Sequence, residues 1–229
     1  MTPRGSVLAR VADRVAALRS GVPVRVGVDG PDGAGKTWFA DDLAGVLQAR
    51  GVEVVRASVD GFHHPRAVRY RRGRSSPEGF FLDSYDHDAL RRELLDPFAP
   101  GGSRTYRTAV HDVRTDEPVT DGPHVASHDA VLLVDGIFLH RDELVGTWDL
   151  SVYLVVRPEV TFARMSVRDG CPPDPQDLAN RRYVVGQRLY RERCDPADRA
   201  DLVVDDDDPA APVVVREQSD ERRNGARHR

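Results

Sequence analysis

At 229 residues the chain is long enough for one core of a size that folds without disulfides or a structural metal. A net charge of −4 and a pI near 6.1 argue against a dedicated nucleic-acid binder. No apolar run approaches the ~20 residues of a membrane span, and the N-terminus lacks the basic-then-apolar layout of a secretory signal, so a soluble, cytoplasmic protein is expected.

In chain order, Val7, Leu8, Val11, Val15 and Leu18 fall at helical spacing and predict an amphipathic helix over 6–19, packed on the outside of the core. The β-branched run VPVRVGVD (22–29) predicts a strand that ends in glycines, and DDLAGVLQARG (41–51) restores helical periodicity up to a glycine stop. VEVVRAS (52–58) predicts a second strand leading to Asp60. The long segment 61–128, rich in Arg, His, Pro and Gly, shows a helical pattern only at 86–95, and loops of that length in compact domains are usually lids or binding loops.

AVLLVDGIFL (130–139) has the continuous apolar character of a buried parallel strand and carries Asp135. DLSVYLVV (149–156) predicts a further strand, and Pro158 suits the first turn of a helix running to about Arg168. CPPDP (171–175) breaks that helix, another is predicted over 176–193, and DLVVD (201–205) reads as the last strand. Residues 206–229, charged and poor in large side chains, read as a disordered tail. Alternating strands and helices predict an α/β fold: a parallel sheet of about five strands, helices on both faces, in a single domain over 1–205 with its core at 22–205. Cys171 and Cys194 match no zinc or C-x-x-C spacing and are expected to be reduced thiols.

The stretch VGVDGPDGAGKTW (26–38) holds the chain's only lysine, against 33 − 1 = 32 arginines. Gly30, Gly35, Lys36 and Thr37 satisfy G-x-x-x-x-G-K-[ST] between a predicted strand and a predicted helix, the setting of the P-loop nucleoside triphosphate hydrolase fold. Gly30, Pro31, Asp32, Gly33, Ala34, Gly35, Lys36, Thr37 and Trp38 are the expected nucleotide-binding segment. Its glycines let successive N–H groups face phosphate oxygens at the positive end of a helix dipole. Lys36 would reach the terminal phosphates of ATP as a compact point charge that an arginine fork cannot replace, and the Thr37 hydroxyl would ligate Mg2+.

Ligands of open α/β sheets bind beyond the carboxyl ends of the strands. Asp135, after four apolar residues, fits the acid that holds magnesium in nucleotide sites, or else caps a turn with Gly136. Asp60, in SVDGFHHP, suits a general base toward an attacking hydroxyl, or a plain Asp-Gly turn; the residues alone leave both open. His63, His64, His87, His111, His124 and His128 show no zinc spacing with an acidic partner. The run RAVRYRRGR (66–74) borders an anionic substrate or is simply exposed.

Taken together, GPDGAGKT, SVDGFHHP, LDSYDHDAL, RTYRTAVHD, VLLVDGIFL, RMSVRDG and CDPADRADLVV, in this order over roughly 22–205, resemble the group of P-loop kinases that contains uridine kinases, phosphoribulokinases and bacterial pantothenate kinases, with uridine kinase nearest. The resemblance implies a helical lid and makes Asp60 the base and Asp135 a metal ligand, although uridine kinases carry Glu-Gly at the latter position. It implies that Tyr106 and His111, five residues apart, face a pyrimidine ring. Arg164 and Arg168, on one helix face, resemble lid arginines that neutralise the transferring phosphoryl group, but CPPDP stands where the family's lid continues into Arg-Gly.

The implied activity is ATP- and Mg2+-dependent phosphorylation of a small-molecule hydroxyl, first the 5′-hydroxyl of uridine or cytidine. A pantothenate kinase-like or other metabolite kinase is the alternative, favoured by SPEGFFLDSYD, and a nucleotide-binding regulatory ATPase is another. The expected partners are the acceptor and the nucleoside triphosphate, with no nucleic acid and no membrane; an RNA-binding module fits the acidic charge poorly.

Overall fold

The strand patterns assemble into one twisted sheet in the computed structural model, which describes residues 2–218. Its strands are β1 (Val24–Asp29), β2 (Val54–Ser58), β3 (Val131–Gly136), β4 (Leu150–Val155), β5 (Leu202–Asp205) and β6 (Val213–Glu217), in the order β6-β5-β4-β1-β3-β2. The first five are mutually parallel, with Val24 opposite Val131, Val26 opposite Leu150 and Val152 opposite Leu202. Their carboxyl ends therefore share one edge, where the sequence places Asp29, Asp60 and Asp135.

The principal helices are α1 (Pro3–Leu18), α2 (Lys36–Ala49), α3 (Pro77–Asp83), α4 (Pro158–Asp169) and α5 (Arg181–Cys194). β3 is apolar throughout its first four residues because it is covered on both faces. Val131 and Leu133 join a core with Val11 and Val15 of α1 and with Phe39 and Leu43 of α2, while Leu132 and Val134 face Phe62, Phe80 and Leu90 on the other side.

The structure corrects the expected ends of several elements. The tail does not begin at 206: Val213–Glu217 pairs antiparallel with β5, and Glu217 binds Arg10 and Arg14 of α1, so the sheet has six strands rather than five. Residues 219–229 of that expected tail lie outside the described residues. In the long segment, α3 starts where Ser76 accepts a hydrogen bond from the Gly79 N–H at 3.0 Å and Pro77 takes the first helical position, two start signals with too few apolar repeats to mark a helix. The helix expected at 86–95 is instead an α turn, His87–Leu90, continued by a π turn, Arg91–Leu95. α2 begins five residues before its apolar repeat, at Lys36 itself, and α5 begins at Arg181 after a short 3-10 turn. Both cysteines are free, and no helix among the described residues is long and apolar enough to cross a membrane.

Gly27, in the middle of β1, lies under the indole of Trp148, which is fixed by a 2.8 Å hydrogen bond from its Nε1 to the Leu139 carbonyl. A Cβ at residue 27 would stand 2.9 Å from the ring. Gly27→Ala is expected to lower stability by roughly 1–3 kcal/mol, the usual cost of overpacking a core; an unchanged urea midpoint would show that the indole gives way.

Candidate functional site

The loop between β1 and α2 is held by close packing from behind. Gly33 and Gly35 adopt left-handed backbone angles, φ 74° and 86°, which L side chains resist. A Cβ on Gly33 would come within 2.5 Å of the Thr161 carbonyl, so α4 rests directly on the loop. Gly35 caps α2 without a side-chain hydrogen bond, which leaves the helix's first N–H groups to an incoming anion. Lys36 folds over the loop and its Nζ donates to the Pro31 carbonyl at 2.7 Å. Every residue from Gly30 to Trp38 thus belongs to one compact turn and helix start.

The strand-end acids lie around it. Asp135 is buried; its Oδ2 accepts from the Thr37 hydroxyl at 2.7 Å and its Oδ1 from Arg56 at 2.9 Å. A hydroxyl beside a carboxylate is a hard-oxygen set that suits magnesium, which takes one or two protein oxygens and fills its remaining positions from phosphate and water. Among the described residues no cluster of three or more His, Cys, Asp or Glu side chains forms another metal site.

Asp60 sits in the 3-10 turn Val59–Phe62 directly after β2, with its Oδ1 accepting from the buried Tyr85 hydroxyl at 3.0 Å. Burial and the Asp60 charge hold the Tyr85 phenol well above its usual pKa, so it remains a donor. Asp32 of the loop faces the same space. Burial raises its pKa, Lys36 opposes that rise, and the Asp60 charge adds to it. Sequence reasoning placed Asp32 only in the loop and gave no role to Tyr85, which stands in the motif LDSYDHDAL.

The two arginines of α4 line one open cleft with Lys36 and Thr37, and they do different things. Arg164 reaches four main-chain carbonyls: Gly33 at 3.3 Å, Ala34 at 3.4 Å, and Asp206 and Asp207 at 2.9 Å each. It clamps the loop to the segment after β5. Arg168 pairs with Asp169 at 2.7 Å and lies within the field of Asp32 and Asp60, all of which favour its charged form.

Tyr106 and His111 are separated. His111 is buried, bonds Asp116 at 3.1 Å, and lies within electrostatic reach of His63, next to Asp60. Tyr106 packs against Phe98 and His124, and its charged neighbour is Glu53, before the start of β2 and at the opposite end from Asp60. The five-residue interval is kept, but the two residues sit on separate rungs of one antiparallel excursion, Tyr106 opposite His124 and His111 opposite Pro118.

Sequence reasoning missed the support behind the loop. Asp29, the last residue of β1, is fully buried; its Oδ1 accepts the Gly30 N–H at 2.7 Å, and its Oδ2 accepts from the His140 N–H at 3.2 Å, from His140 Nδ1 at 2.7 Å and from the Tyr190 hydroxyl. An acid closing an apolar strand directly before the first loop glycine was the available signal. Asp206, equally hidden, stands against Gly35 with Arg4 3.8 Å away.

The Phosphoribulokinase / Uridine kinase family model matches residues 25–171. The uridine kinase of Brevibacillus brevis is 25% identical over 155 residues, covering 65% of this chain and 67% of that protein. Among solved structures, one described as a possible uridine kinase from Bacillus stearothermophilus superposes with a TM-score of 0.67 at 22% identity, covering 86% of this chain and 96% of that one. Phosphoribulokinase from Rhodobacter spheroides gives 0.56 at 19% identity, covering 81% and 71%. These two likenesses carry the fold.

Burial raises the Asp206 carboxyl to a pKa of about 6, from an unfolded value near 3.8. The folded state therefore binds this proton more tightly, so the associated stability is full below about pH 4 and is lost as pH rises through 6. Asp206→Asn, which keeps the shape and removes the charge, should gain thermal stability relative to the parent between pH 4 and 7; a pH-independent difference would place the titration elsewhere.

Proposed function

The chain belongs to the phosphoribulokinase and uridine kinase family, and from that premise we propose that it transfers the γ-phosphoryl group of ATP to the hydroxyl of a small molecule. The observation that carries this reading is the meeting of Lys36, Thr37, Asp135 and Asp60 at one sheet edge, with Tyr85 orienting Asp60. Main-chain N–H groups of the loop and the Lys36 ammonium bind the phosphates. Thr37 and Asp135 would hold magnesium, which supplies charge neutralisation at the phosphates. Asp60 accepts the proton of the attacking hydroxyl, with Tyr85 fixing the orientation of its carboxylate. Arg168 faces the reacting region, and Arg164 keeps the loop in shape.

For the acceptor, we propose a pyrimidine nucleoside first, on the strength of the uridine kinase likeness. A second reading, an acceptor with a carboxylate or phosphate of its own, is favoured by the segment 66–74. There Arg69 pairs with Asp116, and Arg71 and Arg72 with the buried Asp83. Arg74 and Arg182 instead lie 5.9 and 5.3 Å from the Tyr70 ring, with no carboxylate paired to either among the described residues. Burial raises the Tyr70 phenol, but the Arg182 hydrogen bond and the charges of Arg69, Arg182 and Arg74 bring it below its ordinary value, the mark of cationic surroundings.

A panel of nucleosides, pantothenate, glycerate and sugar phosphates with ATP and Mg2+ tests the two readings: product from uridine or cytidine supports the first, product only from anionic acceptors the second. Asp60→Asn should lower kcat by roughly 10²- to 10⁴-fold while Mg·ATP still binds. Lys36→Arg should remove turnover with the fold intact by circular dichroism. Full turnover by either variant would discard the assigned role.

A further inference from the structure

Trp38 is the most exposed aromatic side chain of the large hydrophobic type in the described chain, 72% accessible, whereas the other tryptophan, Trp148, is buried. It is the third residue of α2, two positions past Lys36, and the described residues leave most of it uncovered. A cleft of about 780 Å³ opens between it and α4, with Lys36 and Thr37 at one end and Glu159, Val160, Ala163 and Val167 on the facing wall. Val167 is itself 90% exposed toward solvent. A cleft of that size is in the range that houses a small ligand, and an uncovered indole facing uncovered aliphatic side chains is a surface awaiting a partner.

The direction of the ligand follows from what is closed. Phosphates held at Lys36 and Thr37 cannot pass their nucleoside behind the loop, because Thr161 and Met165 fill the space at Gly33 and the Leu154 carbonyl fills that at Gly30. An open way from Lys36 and Thr37 runs along the cleft where Trp38 stands. We propose that the Trp38 indole is the stacking surface for the base of the donor nucleotide, with Val160 and Val167 on the opposite side; this rests on the loop being a triphosphate site. Stacking uses the π-face that every base has and reads no hydrogen-bond pattern, so this contact favours a nucleoside triphosphate over a bare polyphosphate without choosing between adenine and guanine.

Intrinsic fluorescence and calorimetry of the full-length protein test this with Mg·ATP, Mg·GTP and magnesium tripolyphosphate as probes. Both nucleotides should change the indole emission saturably, and tripolyphosphate should bind without doing so. Trp38→Phe should lose the emission change and keep most of the affinity, while Trp38→Ala should weaken both nucleotides by roughly 5- to 150-fold and leave tripolyphosphate unaffected. Unaltered nucleotide affinity in Trp38→Ala, or an equal loss for nucleotides and tripolyphosphate, would overturn the stacking role. A folded parent protein that binds none of the three probes would instead remove the triphosphate site itself, a separate failure.

Discussion

A loop that grips phosphates with main-chain N–H groups works only if that main chain is held still, and here the hold is the buried Asp29 carboxylate. It accepts four hydrogen bonds: from Gly30 at the start of the loop, two from His140 after β3, and one from Tyr190 in α5. A buried charge is tolerated when each lone pair is satisfied, and removing one donor leaves the desolvation cost unmet. The same contacts tie two separate pieces of chain, the segment after β3 and α5, to the first glycine of the site. Tyr190 is the more consequential tie, since α5 follows the segment 170–180 that leaves α4, and α4 packs on the loop at Gly33. Any movement of α4 over the cleft is thus restrained at both the front and the back of the same loop.

The charged residues divide by geometry in a way that accounts for the single lysine. Guanidinium groups in this fold bind several acceptors at once: Arg164 four carbonyls, Arg56 the Asp41 and Asp135 carboxylates with the Leu133 carbonyl, Arg141 the Glu143 carboxylate with the Phe81 carbonyl. A planar fork with five donors suits such work. At residue 36 the surrounding main chain already supplies donors, and the Lys36 ammonium needs only to place one positive charge inside the curve of the loop, 2.7 Å from the Pro31 carbonyl. An arginine there would bring further donors to a place that already has them, spread over a plane rather than gathered at one point.

What could be read from the sequence followed from periodicity and spacing. β3 shows as an apolar run because both its faces are covered, and the phosphate loop shows because its glycines, lysine and threonine are demanded within one turn. The sixth strand did not show: Val213–Glu217 is held by an edge pairing, by the ion pairs of Glu217 with Arg10 and Arg14, about 200 residues away in sequence, and by Arg216 on Asp198 and the Ala200 carbonyl. Long-range contacts also decide the site. Tyr85 reaches Asp60 across 25 residues and Tyr190 reaches Asp29 across 161, separations over which spacing carries no signal. The Tyr106 and His111 interval shows the converse: the spacing is kept, yet Tyr106 has Glu53 as its charged neighbour while His111 bonds Asp116 and stands near His63.

Asp32 of the loop and Asp60 after β2 lie within each other's electrostatic reach. Two carboxylates facing one space repel, and the repulsion is relieved when one of them takes a proton or a cation stands between them. Burial and the Asp60 charge push Asp32 toward the neutral form, and the charges of Lys36 and Arg168 oppose that push. Lys36 and Arg168 are the two cations that offset this repulsion at Asp32, and on the other side the Tyr85 hydroxyl donates to Asp60 at 3.0 Å. The loop residue between Pro31 and Gly33 is thus more than a spacer: its charge is felt by Lys36 at one end of the loop and by Asp60 at the other.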